Sequence, residues 1–283
     1  MPDPVKLLNT IRKAADFSRT LLGRRGRIVH LVDAAEILAV GDLHGNVANF
    51  QRIIKIADLA HQPRRHLVMQ ELIHGRFTYP DGSDKSHQVV DLWCALKCQF
   101  PTRVHFLPGN HELSQWTNRL IVKGDSDLNA SFRDGVRSAY GMHGIDVYAA
   151  YLNLFPVLPI AIRTPNRVFV SHSLPAASAL AALDMTLLER DGHTETDLRP
   201  GGLVYSILWG RDTSAANVAA YLEKIDADLL ISGHIPCETG FAVPNDRQVI
   251  LDSLDTPAAY CLFPADRPIA HADLVNCVKL TSM

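Results

Sequence analysis

Two short strings, Gly41-Asp42-Leu43-His44-Gly45 and Gly109-Asn110-His111-Glu112, place side chains with free lone pairs where an apolar run stops. Asp42 and His44 stand two residues apart between glycines that let the backbone bend closely, which makes a sensible half of a divalent-metal site. Asn110 and His111 add an amide oxygen and another imidazole. Two more histidines lie just past apolar runs: His172 after Val168-Phe169-Val170-Ser171, and His234 after Leu229-Leu230-Ile231-Ser232-Gly233. Any one of these histidines alone reads as an ordinary core or surface residue. Ligands of open α/β sheets sit beyond the carboxyl ends of strands, so four such ends meeting would cage a cation beside a spare acid or base.

The elements that must position them follow from periodicity. Residues 5–22 repeat apolar positions at helical spacing and end before Gly23. Strands are expected over 28–32, 36–40, 66–69 and 103–107, with helices over 46–59, capped by Asn46, and 86–99. In the second half a helix over 148–154 stops at Pro156, and strands over 157–162 and 167–170 flank the turn Thr164-Pro165-Asn166. Helices follow over 176–190 and 215–225, and strands over 229–231, 239–243, 248–251 and 258–263. The polar stretch 191–202 reads as an exposed loop, and with 81–86 it is expected to border the site mouth. No repeat or low-complexity tract interrupts the alternation, so residues 36–283 read as one α/β domain behind an N-terminal helix and lead-in strand over 1–35.

Composition narrows the partners. A formal charge of -2 over 283 residues offers no general attraction to nucleic acid or to an anionic membrane, so a phosphate-bearing ligand must be held locally. The five cysteines lack paired spacing for a zinc or redox motif. No signal-peptide core and no run of roughly 18 apolar residues is present, which gives the expectation of a soluble, cytoplasmic chain.

The order GDLHG, GNHE, strand-end histidine and Gly-His resembles the calcineurin-like metallophosphoesterases, and within them the PPP-type serine/threonine protein phosphatases and their bacterial relatives. The segment Tyr148 to Ala161 leading to Val170-Ser171-His172-Ser173 is similar to the helix, "LP" strand and histidine strand of those enzymes, and Leu208-Trp209-Gly210-Arg211 to their tryptophan-arginine element. The likeness covers about residues 36–263. It implies a four-layer α/β/β/α sandwich of two mixed β-sheets flanked by helices. It also implies two divalent or trivalent cations (manganese, iron or zinc), the first held by Asp42, His44 and Glu71 and the second by Glu71, Asn110, His172 and His234. A hydroxide bridging them would be the nucleophile, His111 would protonate the leaving alkoxide, and Arg211 would clamp the phosphoryl oxygens. The implied substrate is a phosphorylated one, a phosphoserine or phosphothreonine protein or a small phosphate ester.

One motif departs from the family. In place of GDxxDRG the chain has Gln70-Glu71-Leu72-Ile73-His74-Gly75-Arg76. Glutamate then replaces the bridging aspartate, and its extra methylene must be absorbed. His74 replaces the aspartate that orients His111, and it cannot act as an anion there, so altered acid catalysis is expected, with Glu112 as a compensating carboxylate. Asp252 and Asp255 are candidate partners for a ligating histidine. Two further readings follow: a degenerate module that binds metal or phosphate with little turnover, and a dinucleoside polyphosphate hydrolase. Retention of Asp42, His44, Asn110, His111, His172 and His234 favours hydrolysis of phosphate monoesters.

Overall fold

A computed structural model describes residues 3–123 and 126–281. Two sheets dominate it. The five-stranded sheet runs, in spatial order, Val278–Leu280, Ala259–Pro264, Glu36–Asp42, Arg65–Gln70 and Val104–Leu107. Its last three strands are parallel, so Asp42, Gln70 and Leu107 end at one rim. In the seven-stranded sheet the order is Arg24–Arg25, Ile28–His30, Ala161–Arg163, Val168–Ser171, Leu229–Ser232, Gln248–Leu251 and Phe241–Asn245. Here Val168–Ser171, Leu229–Ser232 and Gln248–Leu251 are parallel. A parallel bridge between Asp42 and Asp252 joins the two sheets at the rim where both parallel sets end.

Strand alternation assigns each face. Leu38 and Val40 pack under helices, while Ile37 and Ala39 fill the space between the sheets. Val168 and Val170 meet them there, and Phe169 turns outward onto the helices beyond. The helices Pro4–Arg19, Val47–Ala57, His87–Gln99, Leu128–Tyr140 and Gly144–Leu154 contribute to the first outer layer; Leu203–Trp209 and Ala215–Lys224 contribute to the other. Four layers, α/β/β/α, result. The N-terminal helix packs on His87–Gln99 and Gly144–Leu154, and Ile28–His30 pairs with Ala161–Arg163. No helix among the described residues is long and apolar enough to cross a membrane.

Several local expectations need correction. Residues 157–162 do not form a strand: Phe155–Val157 is a 3-10 turn and only Ala161–Arg163 pairs, because Pro156 and Pro159 lack the N–H a ladder needs. The helix expected over 176–190 is only Ala177–Leu180, followed by the 3-10 turn Met185–Glu189. The Asp184 carboxylate accepts from Thr186 N at 3.0 Å and so restarts the chain in a new direction. The strand expected over 239–243 lies at Phe241–Asn245, after Gly240 in the left-handed region. The stretch 191–202 is largely exposed as expected, with Asp197 alone among its charged residues buried and ion-paired to the fully buried Arg27 at 2.5 Å.

One buried cation has a measurable consequence. Lys97 is fully buried, and its ammonium donates to the carbonyls of Pro101 at 2.7 Å and Val104 at 2.9 Å. Burial, with nearby Arg24 adding to it, pulls its pKa down to about 7. The unfolded chain keeps the ordinary value near 10.5, so from about pH 7 to 10 the unfolded state binds the extra proton and stability rises with pH. The slope reaches at most about 1.4 kcal/mol per pH unit. Urea unfolding across that window is expected to show this rise, and Lys97→Met to flatten it; parallel curves for the two proteins would contradict the assignment.

Candidate metal centre

Six predicted ligands arrive at one rim from both sheets. Asp42 ends its strand, Glu71 follows Arg65–Gln70, and Asn110 opens the helix Asn110–Thr117 after Val104–Leu107. His172 and His234 follow Val168–Ser171 and Leu229–Ser232. The sequence reading stopped at the strand before Gly109 and missed both this helix and Leu128–Tyr140. The signals were present: Glu112 three residues past Gly109, and Asp127 capping Ala130 N at 3.1 Å.

The backbone is bent hard to aim these groups. His44, Glu71, His74 and His234 all have positive φ, between 34° and 68°, a conformation that non-glycine residues seldom take and that gathers at functional sites. The Glu71 carbonyl accepts from Leu43 N at 3.0 Å and His44 N at 3.1 Å, lacing the two loops together. Glu112 completes the lacing: its carboxylate accepts from Gly109 N at 2.8 Å, Leu72 N at 2.8 Å and Ile73 N at 3.1 Å. Glu112 thus splints the loops through three backbone N–H groups, while burial and the Glu71 carboxylate push its own carboxyl up to about 7.

Glu71 is the hub. It is 2% exposed; Oε2 lies 3.2 Å from His44 Nε2, and Oε1 lies 3.6 Å from His172 Nε2 and accepts from His111 N at 2.9 Å. Its extra methylene finds room because residue 109 is glycine, where a Cβ would stand 2.0 Å from Glu71 Oε1. His172 Nε2 also lies 3.1 Å from both Asn110 Oδ1 and His234 Nδ1, and its Nδ1 3.4 Å from Asp42 Oδ1. Asp42 accepts from His234 N at 2.7 Å through its other oxygen. Donor atoms held near 2.1 Å from a common cation lie about 3.0–3.5 Å from one another, which is the spacing here. One ring proton cannot satisfy the several acceptors around His172. Among the described residues Asp42 Oδ1, His172 Nδ1 and His234 Nε2 have no hydrogen-bond partner despite burial. The donor set therefore fits hard or borderline cations. Ligand atoms fall into two groups that share Glu71: Asp42 with His172, and His44 with His111.

Electrostatics agree with a site built around positive charge. Burial opposes ionisation of Glu71, yet His172, His111 and His44 hold its carboxyl well below the usual carboxylate range. Burial also opposes charge on His44, but the Glu71 carboxylate outweighs it and raises the ring to about 10. At His172 burial is again outweighed, by Glu71 and Asp42, and the ring is raised. Burial, helped by His172, drives His234 down to about 3, leaving a neutral imidazole with a lone pair to give.

Behind the donors runs a chain of hydrogen bonds. Gln115 Nε2 donates to Tyr148 OH at 2.7 Å, which turns its carbonyl toward His74 Nε2, also at 2.7 Å. His74 Nε2–H then donates to Gln115, so His74 Nδ1 is an acceptor, and the 2.9 Å contact between the two Nδ1 atoms requires His111 Nδ1 to carry the proton. Burial lowers His74 to about 4 and His111 to about 3, so both rings are neutral. His111 Nε2 is left with a lone pair.

A cavity of about 460 Å³ opens above the donors. Arg211 lines it and makes no ion pair among the described residues; Arg76 lines it too but is tied to Asp255. Gly75, at the place of the family's arginine, lies against His44, where a Cβ would stand 2.0 Å from the carbonyl oxygen, so no side chain fits there. Asp252 accepts from Cys237 N and Leu254 N rather than from a histidine. The cavity walls come from Ile121, Val122, Leu128, Trp209, Pro236 and Leu254, not from 81–86 or 191–202 as expected.

Two mixed sheets between helical layers, with carboxylate, amide and imidazole donors gathered at their common rim, define the metallophosphoesterase class. The chain belongs to the calcineurin-like phosphoesterases, whose family profile matches residues 35–238. It is 25% identical over 258 residues to a probable serine/threonine-protein phosphatase of Encephalitozoon cuniculi, covering 86% of this chain and 51% of that protein. It is 24% identical over 231 residues to serine/threonine-protein phosphatase 5 of Arabidopsis thaliana, covering 76% and 38%. The chain thus spans about half the length, or less, of the curated relatives it matches. In fold it is similar to a Saccharomyces cerevisiae protein serine/threonine phosphatase described as similar to human phosphatase PP5, with a TM-score of 0.71 at 14% identity, covering 100% of this chain and 90% of that one. A cold-active protein-tyrosine phosphatase of a psychrophilic Shewanella species matches with a TM-score of 0.62 at 14% identity, covering 94% and 84%.

Proposed function

We propose that this chain hydrolyses phosphate monoesters, phosphoserine or phosphothreonine in proteins or small phosphate esters, with two cations of manganese, iron or zinc. The observation that carries this reading is Glu71, whose two oxygens face separate donor groups. The family resemblance would give Asp42, His44 and Glu71 to one cation and Glu71, Asn110, His172 and His234 to the other, although the spacing here sets Asp42 beside His172 and groups His44 with His111. Bound there, the cations would supply Lewis-acid chemistry, activating water and taking up charge on the phosphoryl oxygens.

The remaining work falls to side chains at the cavity. Arg211 offers a planar fork to two phosphoryl oxygens. His111 gives a proton to the leaving oxygen only after its Nε2 has gained one, and His74, being neutral, does not raise its basicity as a carboxylate would. Hydrolysis of p-nitrophenyl phosphate with added manganese tests the reading. Turnover well above the metal-stripped protein is expected, whereas no rate above that background would leave a binding module.

His74→Asp tests the second point. An Asp oxygen occupies the place of His74 Nδ1, two bonds from Cβ, and aspartate tolerates the positive φ of 61° at this position. With an anion behind His111, kcat for a phosphoserine peptide is expected to rise about tenfold, within the range of such supporting groups. An unchanged or lower kcat, with metal content intact, would contradict the role given to His74.

A further inference from the structure

A second cavity, of about 430 Å³, is lined by the helices Val47–Ala57 and His87–Gln99 together with Tyr79 and Tyr140, and shares no lining residue with the cavity above the donors. Its size is that of a small-molecule site. Hydrogen bonds in its wall run toward Asp91. Gln88 Nε2 donates to the Tyr79 hydroxyl at 3.4 Å, so that hydroxyl turns its own proton to His87 Nε2 at 3.0 Å. His87 is then a neutral ring whose Nδ1–H points at Asp91 Oδ2, 3.4 Å away. Tyr140 OH donates to the same oxygen, and Tyr151 OH to the other. These donors fill lone pairs and bring no charge. The Asp91 side chain is only 11% exposed, and among the described residues no lysine or arginine pairs with it. A buried charge of this kind ordinarily has a countercharge.

The rings around Asp91 suit one kind of countercharge. His87 lies nearly parallel to Tyr79, at 20°, and is inclined 67° to Tyr140, so the aromatic wall turns a corner beside the carboxylate. Burial lifts both tyrosine hydroxyls above their ordinary range and the Asp91 charge lifts them further, which shows its field reaching across the cavity. Lys85 already rests on the Tyr79 ring, its Nζ 5.0 Å from the centroid, but it lines a neighbouring recess and not this cavity. We propose that the cavity binds a small quaternary ammonium compound, its charged head held by Asp91 and by the rings of Tyr79 and Tyr140. A metal ion would need several free oxygens, and the lone pairs of the single carboxylate are already in use. A primary amine would likewise be short of acceptors. A quaternary ammonium needs none, because it is held by the field of the anion and by ring quadrupoles.

The test is titration calorimetry on the full chain with choline and its uncharged isostere, 3,3-dimethyl-1-butanol. Choline is expected to bind with a Kd of about 1 mM or below, and the isostere at least about tenfold more weakly, since shape is kept and only the charge is lost. Leu92 lines the cavity, is 38% exposed and follows Asp91 in the chain. Leu92→Lys offers the anion an ammonium of its own and is expected to weaken choline at least about tenfold, whereas Leu92→Met keeps binding. Should the lysine variant unfold early, Gln51→Lys, at an exposed position on the facing helix, is expected to show the same loss. Equal binding of the two probes, no binding of choline at millimolar concentration, or a folded lysine variant that binds choline as the wild type does would overturn the proposal. Phosphatidylcholine vesicles are expected to leave the chain in the supernatant on sedimentation. Capture that Leu92→Lys abolishes would move the ligand to a lipid surface and overturn the small-molecule assignment.

Discussion

Glu71→Gln is expected to lower hydrolysis of any phosphate ester by about three orders of magnitude, the scale set by losing a preorganised charge in a water-poor site. The change keeps the shape and removes the anion. Among the described residues Glu71 is the one side chain touching His44, His172 and the His111 amide together, so an amide there leaves one donor group facing N–H instead of oxygen. Elemental analysis is expected to find fewer than two cations per chain after gel filtration. A Glu71→Gln variant that keeps its metal and works within tenfold of wild type would remove the hub from the mechanism.

Gly109→Ala should be nearly as damaging, for a different reason. Gly109 has φ -96° and ψ -170°, which any residue can adopt, so the backbone resists nothing. The obstacle is Glu71 itself, whose Oε1 would lie 2.0 Å and whose Cβ 2.8 Å from the new methyl group. The carboxylate must move, and manganese affinity and kcat are each expected to fall about a hundredfold, the upper end for disturbing a ligand's support. Combining Gly109→Ala with Glu71→Asp, which draws the carboxylate back but leaves Cβ at 2.8 Å, should recover part of the loss. Such a double-mutant cycle is strongly non-additive if the two positions share one space. Additive losses would show that Gly109 acts otherwise.

The donors were legible because strand ends and hard ligands leave compact local marks: an apolar run, a glycine, then Asp, His or Asn. Both sheets were likewise legible as buried runs. The geometry between the runs was not. Glu112 looked like a spare acid, and only the close approach of 71–73 to 109 turns it into a backbone splint. The His74–Gln115–Tyr148 chain joins residues up to 74 positions apart, read as Tyr148 minus His74, with no shared motif. The arm carrying Ile121 and Val122 has no strong period, and its value as a wall depends on Trp209 standing across from it.

The donors also span the seam between the sheets. Asp42, Glu71 and Asn110 belong to one sheet, His172 and His234 to the other, and the contact of His234 N with Asp42 closes 192 residues of chain. A cation held by both sets would be a further cross-link between layers already joined by apolar packing, the bridge at Asp42 and Asp252, and hydrogen bonds such as Gly41 N to Ser253 Oγ and Asn166 Nδ2 to the Pro264 carbonyl. Ligand-linked folding follows: resistance to unfolding grows by about 2.7 kcal/mol when free metal stands at a hundred times its dissociation constant. Scarcity of metal would then cost the protein its persistence as well as its turnover.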